Sequence, residues 1–367
     1  MKIDKLETGL VFRNYRPDVR SLHAWHPTLV ILRDGQFLAG FDMGQAVASL
    51  DYRSYTSRSS DGGRTWSPPA RIFEDEDDRL QRHGVRLWGV RDGSIVGVGM
   101  RAYPTHEEEE AWSRETFGQR PHELIRLRSR DEGRTWEGPT VIEPPLEGPF
   151  EVCHTVVELA DGRWAWPMSI TRRWDGSAPD GVRAIALVSH DEGRTWPECM
   201  TLLDGYAQGI MHLECSLIQL PDGRLLSCAW AFDVASGTSQ TLSYAISADG
   251  QKFGEPRPTG IRSETSKLLS LGDEHVLCVY RRTDRPGLWV NLVRIDGDSW
   301  ENLGEAPLWE GADSKMFGQR SSSEELAALA FGFPQPHLLP DGDVMVLFWC
   351  REDCVHNIRW VRFSVSP

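Results

Sequence analysis

The feature that most constrains the fold of this chain is a short motif that recurs along it. The motif reads SSDGGRTW at 59–66, SRDEGRTW at 129–136 and SHDEGRTW at 189–196. Weaker copies follow, SADGQKF at 247–253 and IDGDSW at 295–300. Because regular internal repeats are typical of stacked or radial architectures, the chain is predicted to consist of copies of one small unit.

The chemistry of this motif is local. The aspartate side chain is expected to accept hydrogen bonds from backbone N–H groups of the turn that follows it. The glycine permits a positive φ, and the tryptophan packs back onto its own sheet. Asp61, Asp131 and Asp191 are therefore interpreted as hairpin residues without a catalytic role.

A second pattern occurs six times, and it consists of an apolar run, an Asp-Gly type of turn and another apolar run. Each copy is typical of a β-hairpin. The sequence therefore predicts an all-β fold, a six-bladed β-propeller of four-stranded antiparallel blades. The last unit lacks a fourth strand, and residues 5–13 are expected to supply it by pairing with 356–365 and closing the ring. The hairpins lie at 27–41, 85–100, 154–168, 215–230, 266–280 and 334–349.

The whole chain, 1–367, is predicted to form this single domain. A helical turn with an N-cap serine is expected within 321–330, which reads SSSEELAALA. The blades are placed at approximately 15–76, 77–145, 146–205, 206–258, 259–309, and 310–367 together with 1–14.

Composition and charge exclude several classes of function. A net charge of −14 argues against a nucleic acid or an anionic membrane surface as the partner. The chain has no apolar run long enough to span a membrane. Its first ten residues lack the apolar stretch of a signal peptide, so a cytoplasmic location is expected, with a secreted protein whose signal was removed as the alternative. The seven cysteines show no Cys-x-x-Cys spacing and no nucleotide-binding motif is present, so neither a metal ion nor a cofactor is expected.

The repeated motifs, combined with six hairpins, resemble the Asp-box (BNR) repeats of the sialidase, or neuraminidase, superfamily. The resemblance covers nearly the whole chain and implies a six-bladed propeller. It implies little about activity, because the motifs lie away from the active site in such enzymes. The site is expected instead at one mouth of the central channel, at the ends of the inner strands.

Aligning the six units on the turn aspartate brings polar residues to the start of the inner strands. Positions eight and ten before the aspartate share a face, because side chains alternate along a strand. Burying an unpaired polar group costs roughly 2–7 kcal/mol, so polar groups there need a functional reason. These positions hold His26, Arg82, Glu151, His212, Glu214 and Phe333, and the paired strands add Asp42, Trp230, Arg281 and Trp349.

Compared with the sialidases, the chain departs from the family pattern at the groups that bind sialic acid. Trp25 and Trp230 stand where the family has arginines, and Phe333 lies near the position of the tyrosine nucleophile. Two lost arginines remove the bidentate clamp on a carboxylate, so ordinary sialidase activity is not expected. Trp25, Trp230 and Trp349 are expected instead to form a stacking platform for a neutral sugar.

Other positions keep the family's chemistry. Glu214 matches the glutamate that assists the nucleophile, and Arg281 is aligned with a third arginine. Asp42 or Asp51 is expected in the role of the acid/base aspartate.

The main hypothesis is therefore a glycoside hydrolase of the sialidase superfamily, acting at a chain end on a sugar other than ordinary sialic acid. Related exo-arabinanases use two glutamates on neighbouring blades, and Glu151 and Glu214 fit that arrangement. The catalytic candidates are Glu214, Glu151, Asp42, Asp51, His26 and His212, and the substrate-binding candidates are Trp25, Trp230, Arg281, Trp349, Arg82 and Phe333.

Three alternatives stay open, each with a carbohydrate as the partner. The first is a lyase or hydrolase for a uronate or deoxysugar, in which His26 or His212 acts as the base and Arg281 or Arg82 neutralises the substrate. The second is an exo-α-sialidase, and the third is a non-catalytic carbohydrate-binding propeller. The oligomeric state is not predicted.

Overall fold

The computed structural model of the chain describes residues 2–75, 79–113, 115–312 and 328–366. Strands dominate these residues, with one 3₁₀ turn at Tyr206–Gln208, and none of the described helical residues forms a helix able to cross a membrane. Residues 321–327 of the predicted helical turn lie outside the described part. The strands are Lys2–Phe12 (β1), His23–Ile31 (β2), Phe37–Gly44 (β3), Arg53–Ser59 (β4), Ala70–Arg71 (β5), Arg82–Gly89 (β6), Ile95–Ala102 (β7), Glu123–Ser129 (β8), Glu137–Ile142 (β9), Phe150–Glu151 (β10), Val157–Glu158 (β11), Trp164–Ile170 (β12), Ala184–Ser189 (β13), Glu198–Leu203 (β14), Ile210–Gln219 (β15), Leu225–Asp233 (β16), Thr238–Ser239 (β17), Thr241–Ser247 (β18), Arg257–Ser270 (β19), His275–Arg282 (β20), Leu288–Asp296 (β21), Ser299–Trp309 (β22), Phe331–Leu338 (β23), Val344–Glu352 (β24) and Val355–Ser366 (β25).

The strands form antiparallel sheets in an all-β, propeller-like arrangement. The described strands make five hydrogen-bonded sheets, whereas the sequence predicts six separate ones. The difference arises at β19, a strand of 14 residues that runs through two of the predicted units. Its first part pairs with β18 and its second part, from Ser263 onward, pairs with β20, so the two units share one eight-stranded sheet. The sheets are β2-β3-β4-β5, β6-β7-β8-β9, β10-β12-β13-β14 with β11 on β12, β15-β16-β18-β19-β20-β21-β22 with β17 on β16, and β1-β25-β24-β23.

The two ends of the chain meet in the last of these sheets. β1 pairs antiparallel with β25, from Lys2 opposite Ser366 to Phe12 opposite Ile358. The first hairpin is next to the last one, because β2 packs against β6 on one side and against β23 on the other. β19 in turn packs against both β15 and β23.

The apolar core lies between neighbouring sheets, because alternate residues of each strand face opposite sides of its sheet. Phe41 of β3, for example, packs in one cluster with Leu347 of β24 and Ile358 of β25. Leu38, on the opposite face of β3, packs with Val85 of β6. β3 thereby contributes to two interfaces, one with the last unit and one with the following unit.

The repeated motif forms the turn between the last two strands of a unit, as expected for a hairpin residue set. Asp61 Oδ1 accepts a bond of 2.9 Å from the backbone N–H of Thr65, and Ser59 Oγ accepts one of 2.9 Å from Gly63. The indole N–H of Trp66 donates to the carbonyl of Gly63 at 2.8 Å. Asp131 and Asp191 accept the equivalent bonds in their own turns. The carboxylates are thus used within the turns.

Candidate functional site

Four inner strands carry a β-bulge at the same place, where the pairing with the neighbouring strand shifts register. The residue at each bulge has a positive φ: 53° at His26, 48° at Glu214, 36° at Thr265 and 52° at Phe333. Residues other than glycine rarely adopt this backbone conformation, and bulges re-aim side chains beside active sites. All four lie eight residues before their turn aspartate, and we treat these equivalent positions as one layer.

Two smaller residues complete this layer in the second and third units. Gly84 holds this position in the second unit, and a Cβ there would lie only 3.0 Å from Oδ2 of Asp42. Cys153 holds it in the third unit, and its side chain is buried. Thr265 fills the fifth position, which the sequence alignment leaves uncertain because the turn of that unit is altered.

A cavity of about 410 Å³ opens beside this layer, and we call it the first cavity. It is lined by His26, Glu214 and Phe333 of the layer. The predicted residues Trp25, Arg281 and Trp349 also line it.

A second cavity, of about 330 Å³, lies beside the first. Glu151 and Trp230 line it, and Glu214 lines both cavities. The three tryptophans expected to form one platform are therefore divided between two cavities, with Trp25 and Trp349 in the first. Glu214 stands where the two cavities meet.

The two glutamates are in direct contact. The backbone N–H of Glu214 donates a hydrogen bond of 2.8 Å to Oε2 of Glu151, which lies on β10 of the preceding unit. Burial, followed by repulsion from the Glu214 carboxylate, raises the pKa of Glu151 to about 7, although the Glu214 N–H and the Lys267 ammonium act in the opposite direction. Glu151 is therefore able to hold and release a proton near neutral pH.

His26 is held by a polar chain that leads into the protein. Its Nδ1 lies 2.5 Å from the hydroxyl of Tyr52, and that hydroxyl donates to Oδ2 of Asp42 at 3.0 Å. Because the tyrosine proton goes to Asp42, the bond to Tyr52 requires a proton on Nδ1 of His26, which leaves a lone pair on Nε2. The side chain is 26% exposed, and burial followed by the Arg86 guanidinium lowers the pKa of His26. It is thus a neutral imidazole with its Nε2 edge available to the first cavity.

Asp42 does not line either cavity, because it lies fully buried beneath His26. Nη1 of Arg86 donates to its Oδ2 at 2.6 Å, and the hydroxyl of Ser54 donates to its Oδ1 at 2.6 Å. Burial would raise the pKa of Asp42, but Arg86 and these hydrogen bonds hold it at about 2. Asp42 is consequently a permanent carboxylate that positions Tyr52 and Arg86.

Three further predicted residues also lie away from the lining. Oδ1 of Asp51 accepts bonds from the Gln45 N–H and the Ser49 hydroxyl, so its carboxylate fixes the loop before β4. Nη1 of Arg82 donates to the backbone carbonyls of Ala48 and Glu109 at 2.8 and 3.2 Å and braces two loops.

His212 is the third of these residues. It is 1% exposed, and it packs against Gly205, where a Cβ would come within 2.9 Å of its Cε1. The expectation that His212 and Glu214 share a face fails because the bulge at Glu214 interrupts the alternation of side chains between them.

Arg281 lines the first cavity, but its charge is already paired. Nη2 lies 3.1 Å from Oε2 of Glu264, and Nη1 donates to the carbonyl of Phe331 at 3.0 Å. Both side chains of this ion pair are buried. A substrate carboxylate would therefore have to compete with Glu264 for this guanidinium.

Several residues of this region are not among the sequence-predicted candidates. They are Tyr52, Arg86, Glu264, Thr265 and Lys267. The alignment contains a signal for three of them. Thr265 lies eight residues before Asp273. Lys267 lies six residues before Asp273, and Arg86 lies six residues before Asp92. Tyr52 and Glu264 carry no such signal, since their partners are brought to them only by the folded chain.

Comparisons with known proteins agree with this fold. Residues 102–316 match the family model described as a BNR repeat-like domain. A protein of unknown function from Dyadobacter fermentans superposes with a TM-score of 0.77 at 19% identity, over 99% of each chain.

Two enzymes are also similar in structure. The NanB sialidase of Streptococcus pneumoniae, in its K499G mutant form, gives a TM-score of 0.69 at 13% identity, over 98% of this chain and 70% of that one. The α-L-arabinanase of Penicillium chrysogenum, solved with arabinobiose, gives 0.64 at 15% identity, over 97% of this chain and 98% of that one. At such identities the likeness shows a shared fold. No curated protein matches the chain by sequence.

Proposed function

The chain belongs to the family of BNR repeat-like domains and has the propeller fold of the sialidase superfamily, and from that premise we propose that it is a glycoside hydrolase. The observation that carries the proposal is the contact between Glu151 and Glu214. Glu151 is a partly buried carboxyl group able to hold a proton near neutral pH, and Glu214 lines both cavities. Two carboxyl groups with different environments are what an acid and its partner base or nucleophile require.

In this mechanism Glu151 is the general acid. It protonates the oxygen of the leaving group while the Glu214 carboxylate acts from the other side of the bond, either on a water molecule or directly on the anomeric carbon. Because Glu214 lies where the cavities meet, the scissile bond is placed at that junction, with one sugar in each cavity. Trp230 would stack on the sugar in the second cavity, and Trp25 and Trp349 would contact the one in the first.

The preferred sugar is one without a carboxylate, and the enzyme acts at a chain end. Volumes of about 410 and 330 Å³ lie in the range of pockets for small ligands, which favours a short substrate segment. Trp25 and Trp230 offer no charge, and the nearby guanidinium of Arg281 is paired with Glu264. These features disfavour sialic acid and uronates alike.

A second candidate function is favoured by His26. Its Nε2 carries the lone pair because Nδ1 is bonded to Tyr52, which is the arrangement of a positioned base. A lyase would use this base to remove a proton next to a uronate carboxylate. The pairing of Arg281 with Glu264 counts against it, since a lyase needs a cation for that carboxylate.

We also infer that the fold is a ring of six units closed by β1. The buried apolar residues of the described part group into clusters between successive units, and one of them joins the first hairpin to β24 and β25 of the last. The shared strand β19 and the β1–β25 pairing agree with such a ring.

The experiment is a panel of aryl glycosides and short oligosaccharides, including arabino-oligosaccharides, followed by release of the aglycone or of reducing sugar. Parallel absorbance measurements on oligouronates detect the unsaturated product of a lyase. Hydrolysis of a neutral glycoside supports the proposal. Unsaturated products would indicate a lyase with His26 as the base. Binding without turnover on the whole panel would indicate a carbohydrate-binding protein.

A further inference from the structure

A second layer of inner-strand residues lies below the candidate site. Its members lie two residues further along each strand than those of the first layer, and Arg86 and Lys267 among them both lie over the ring of Phe333. These positions lie six residues before each turn aspartate. They hold Thr28, Arg86, Thr155, Ser216, Lys267 and Gln335.

A third cavity, of about 610 Å³, opens on this layer from the turn end of the strands. Thr155, Lys267 and Gln335 of the second layer line it, as does His337 from the next layer toward the turns. We call it the back cavity. The ring of Phe333 separates it from the first cavity, since Phe333 lines the first cavity and its centroid lies 5.5 Å from Nζ of Lys267.

The back cavity contains a buried cation whose ammonium group makes no hydrogen bond among the described residues. Lys267 is 1% exposed, and its Nζ has no hydrogen-bond partner among the described residues. Nε2 of Gln335 and Nε2 of His337 also lack partners there, and Gln335 is 5% exposed. Leaving a charge buried and unpaired costs several kcal/mol, so such a group requires a compensating partner.

The neighbouring groups do not supply that partner. His154 is engaged, because its Nδ1 bonds to the carbonyl of Thr155 and its Nε2 to the hydroxyl of Ser216. The carboxylate of Glu158, at the rim of the back cavity, is paired with Arg91, with 3.8 Å between Oε1 of Glu158 and Nε of Arg91. Glu151, on the other side of the layer, interacts with Lys267 through space but forms neither an ion pair nor a hydrogen bond with it.

We propose that the back cavity binds a small anion, a carboxylate or a halide, through Lys267 Nζ with Gln335 and His337 as neutral donors. All three free groups are able to donate: an ammonium has only donors, an amide nitrogen donates, and a neutral imidazole carries one N–H. Charge-assisted hydrogen bonds of this kind are the strong ones. This site is separate from the glycosidase proposal and does not depend on it.

Bromide tests the proposal directly, because its anomalous scattering locates it in a crystal. Crystals of the full chain are soaked in sodium bromide, and we expect an anomalous peak within hydrogen-bond reach of Lys267 Nζ. In solution, the melting temperature should rise saturably with bromide or acetate when isethionate, a weakly hydrogen-bonding sulfonate that is neither a carboxylate nor a halide, maintains a constant ionic strength. An empty back cavity in the crystal, or equal melting temperatures in all three anions, would overturn the proposal.

Two variants separate a built site from general salt effects. Lys267→Met should weaken bromide binding by about 10- to 100-fold, the range for one hydrogen bond to a charged group, whereas the exposed Lys252→Met is the matched control and should leave it unchanged. Gln335→Glu introduces a carboxylate into the cavity lining that Gln335 shares with Lys267, and it should raise the melting temperature in isethionate and abolish the bromide response. If Lys267→Met does not fold, the Gln335→Glu result and the wild-type crystal still decide. A bromide response that persists in Gln335→Glu would contradict the site.

Discussion

The backbone N–H of Glu214 points at Oε2 of Glu151 across 2.8 Å, and this bond joins two successive units of the propeller. It exists because Glu214 sits at a bulge with a φ of 48°. A regular strand would direct that N–H toward its own sheet neighbour, whereas the bulge releases it to the preceding unit. One backbone irregularity thereby presents the Glu214 side chain to both cavities and fixes the carboxyl group of Glu151.

The pH dependence of activity should report the Glu151 proton. With the pKa of Glu151 at about 7, the acid form is present below that value and disappears above it. We expect kcat/KM on the best glycoside of the panel to fall about tenfold per pH unit above pH 7. The Glu151→Gln variant should lose this limb together with most of its activity. A wild-type profile that stays flat from pH 5 to pH 9 would exclude Glu151 as the acid.

The stability of the Glu151→Gln variant should depend on pH in a defined direction. The folded protein raises the pKa of Glu151 from 4.5 to about 7, so the folded state binds this proton more tightly than the unfolded state. The resulting stabilisation is complete below pH 4.5 and is lost as the pH rises to about 7. Glutamine does not titrate, so the melting temperature of the variant relative to wild type should increase across this window.

The matched control is Glu143→Gln, which changes an exposed glutamate directly after the end of β9. Its melting temperature relative to wild type should stay constant between pH 4.5 and 8. A Glu151→Gln curve parallel to that of the control would contradict a raised pKa of the Glu151 carboxyl group.

The ion pair of Asp42 and Arg86 should behave as a coupled unit. Asp42→Asn leaves the Arg86 guanidinium buried without its counter-charge, and we expect a loss of about 3–5 kcal/mol in the free energy of unfolding. Arg86→Met should cost a comparable amount. The double variant should be more stable than the sum of the single changes predicts, by about 1 kcal/mol or more. Additive losses in denaturant titrations would show that the 2.6 Å contact carries no coupling energy.

Sialic acid should be a very poor substrate. Trp25 and Trp230 cannot clamp a carboxylate, and Phe333 has no hydroxyl to act as a nucleophile. Turnover of an aryl sialoside should remain far below the rate of about 10 per second that is typical of enzymes. A rate of that order would mean that the inferred correspondence of these three residues with the sialidase pattern is incorrect.

The sequence contains most of the local structure but not its irregularities. The Asp-Gly turns and the alternation of apolar residues predict the hairpins correctly, because both signals are local. The continuity of β19 is not visible, since it depends on how two units pack after folding. For the same reason the number of hydrogen-bonded sheets differs from the number of repeats.

The residues of the candidate site are likewise predictable from the sequence only where the signal is local. Spacing from the turn aspartate places His26, Glu214 and Phe333 in one layer, and extending it by two residues would have found Lys267. It misplaces His212, because the bulge at Glu214 breaks the alternation on which the inference depends. Contacts such as that of Tyr52 with His26 join distant parts of the chain, so the spacing of residues along the sequence does not predict them.

The central claim is that Glu214 acts in catalysis, and kcat/KM of Glu214→Gln on the best glycoside of the panel tests it most directly. Glutamine preserves the shape of the side chain and the backbone N–H that bonds to Glu151, so the melting temperature is measured beside the rate. We predict a loss of about 10²–10⁴-fold in kcat/KM with a melting temperature close to that of wild type. Full activity of a folded Glu214→Gln protein would contradict the account.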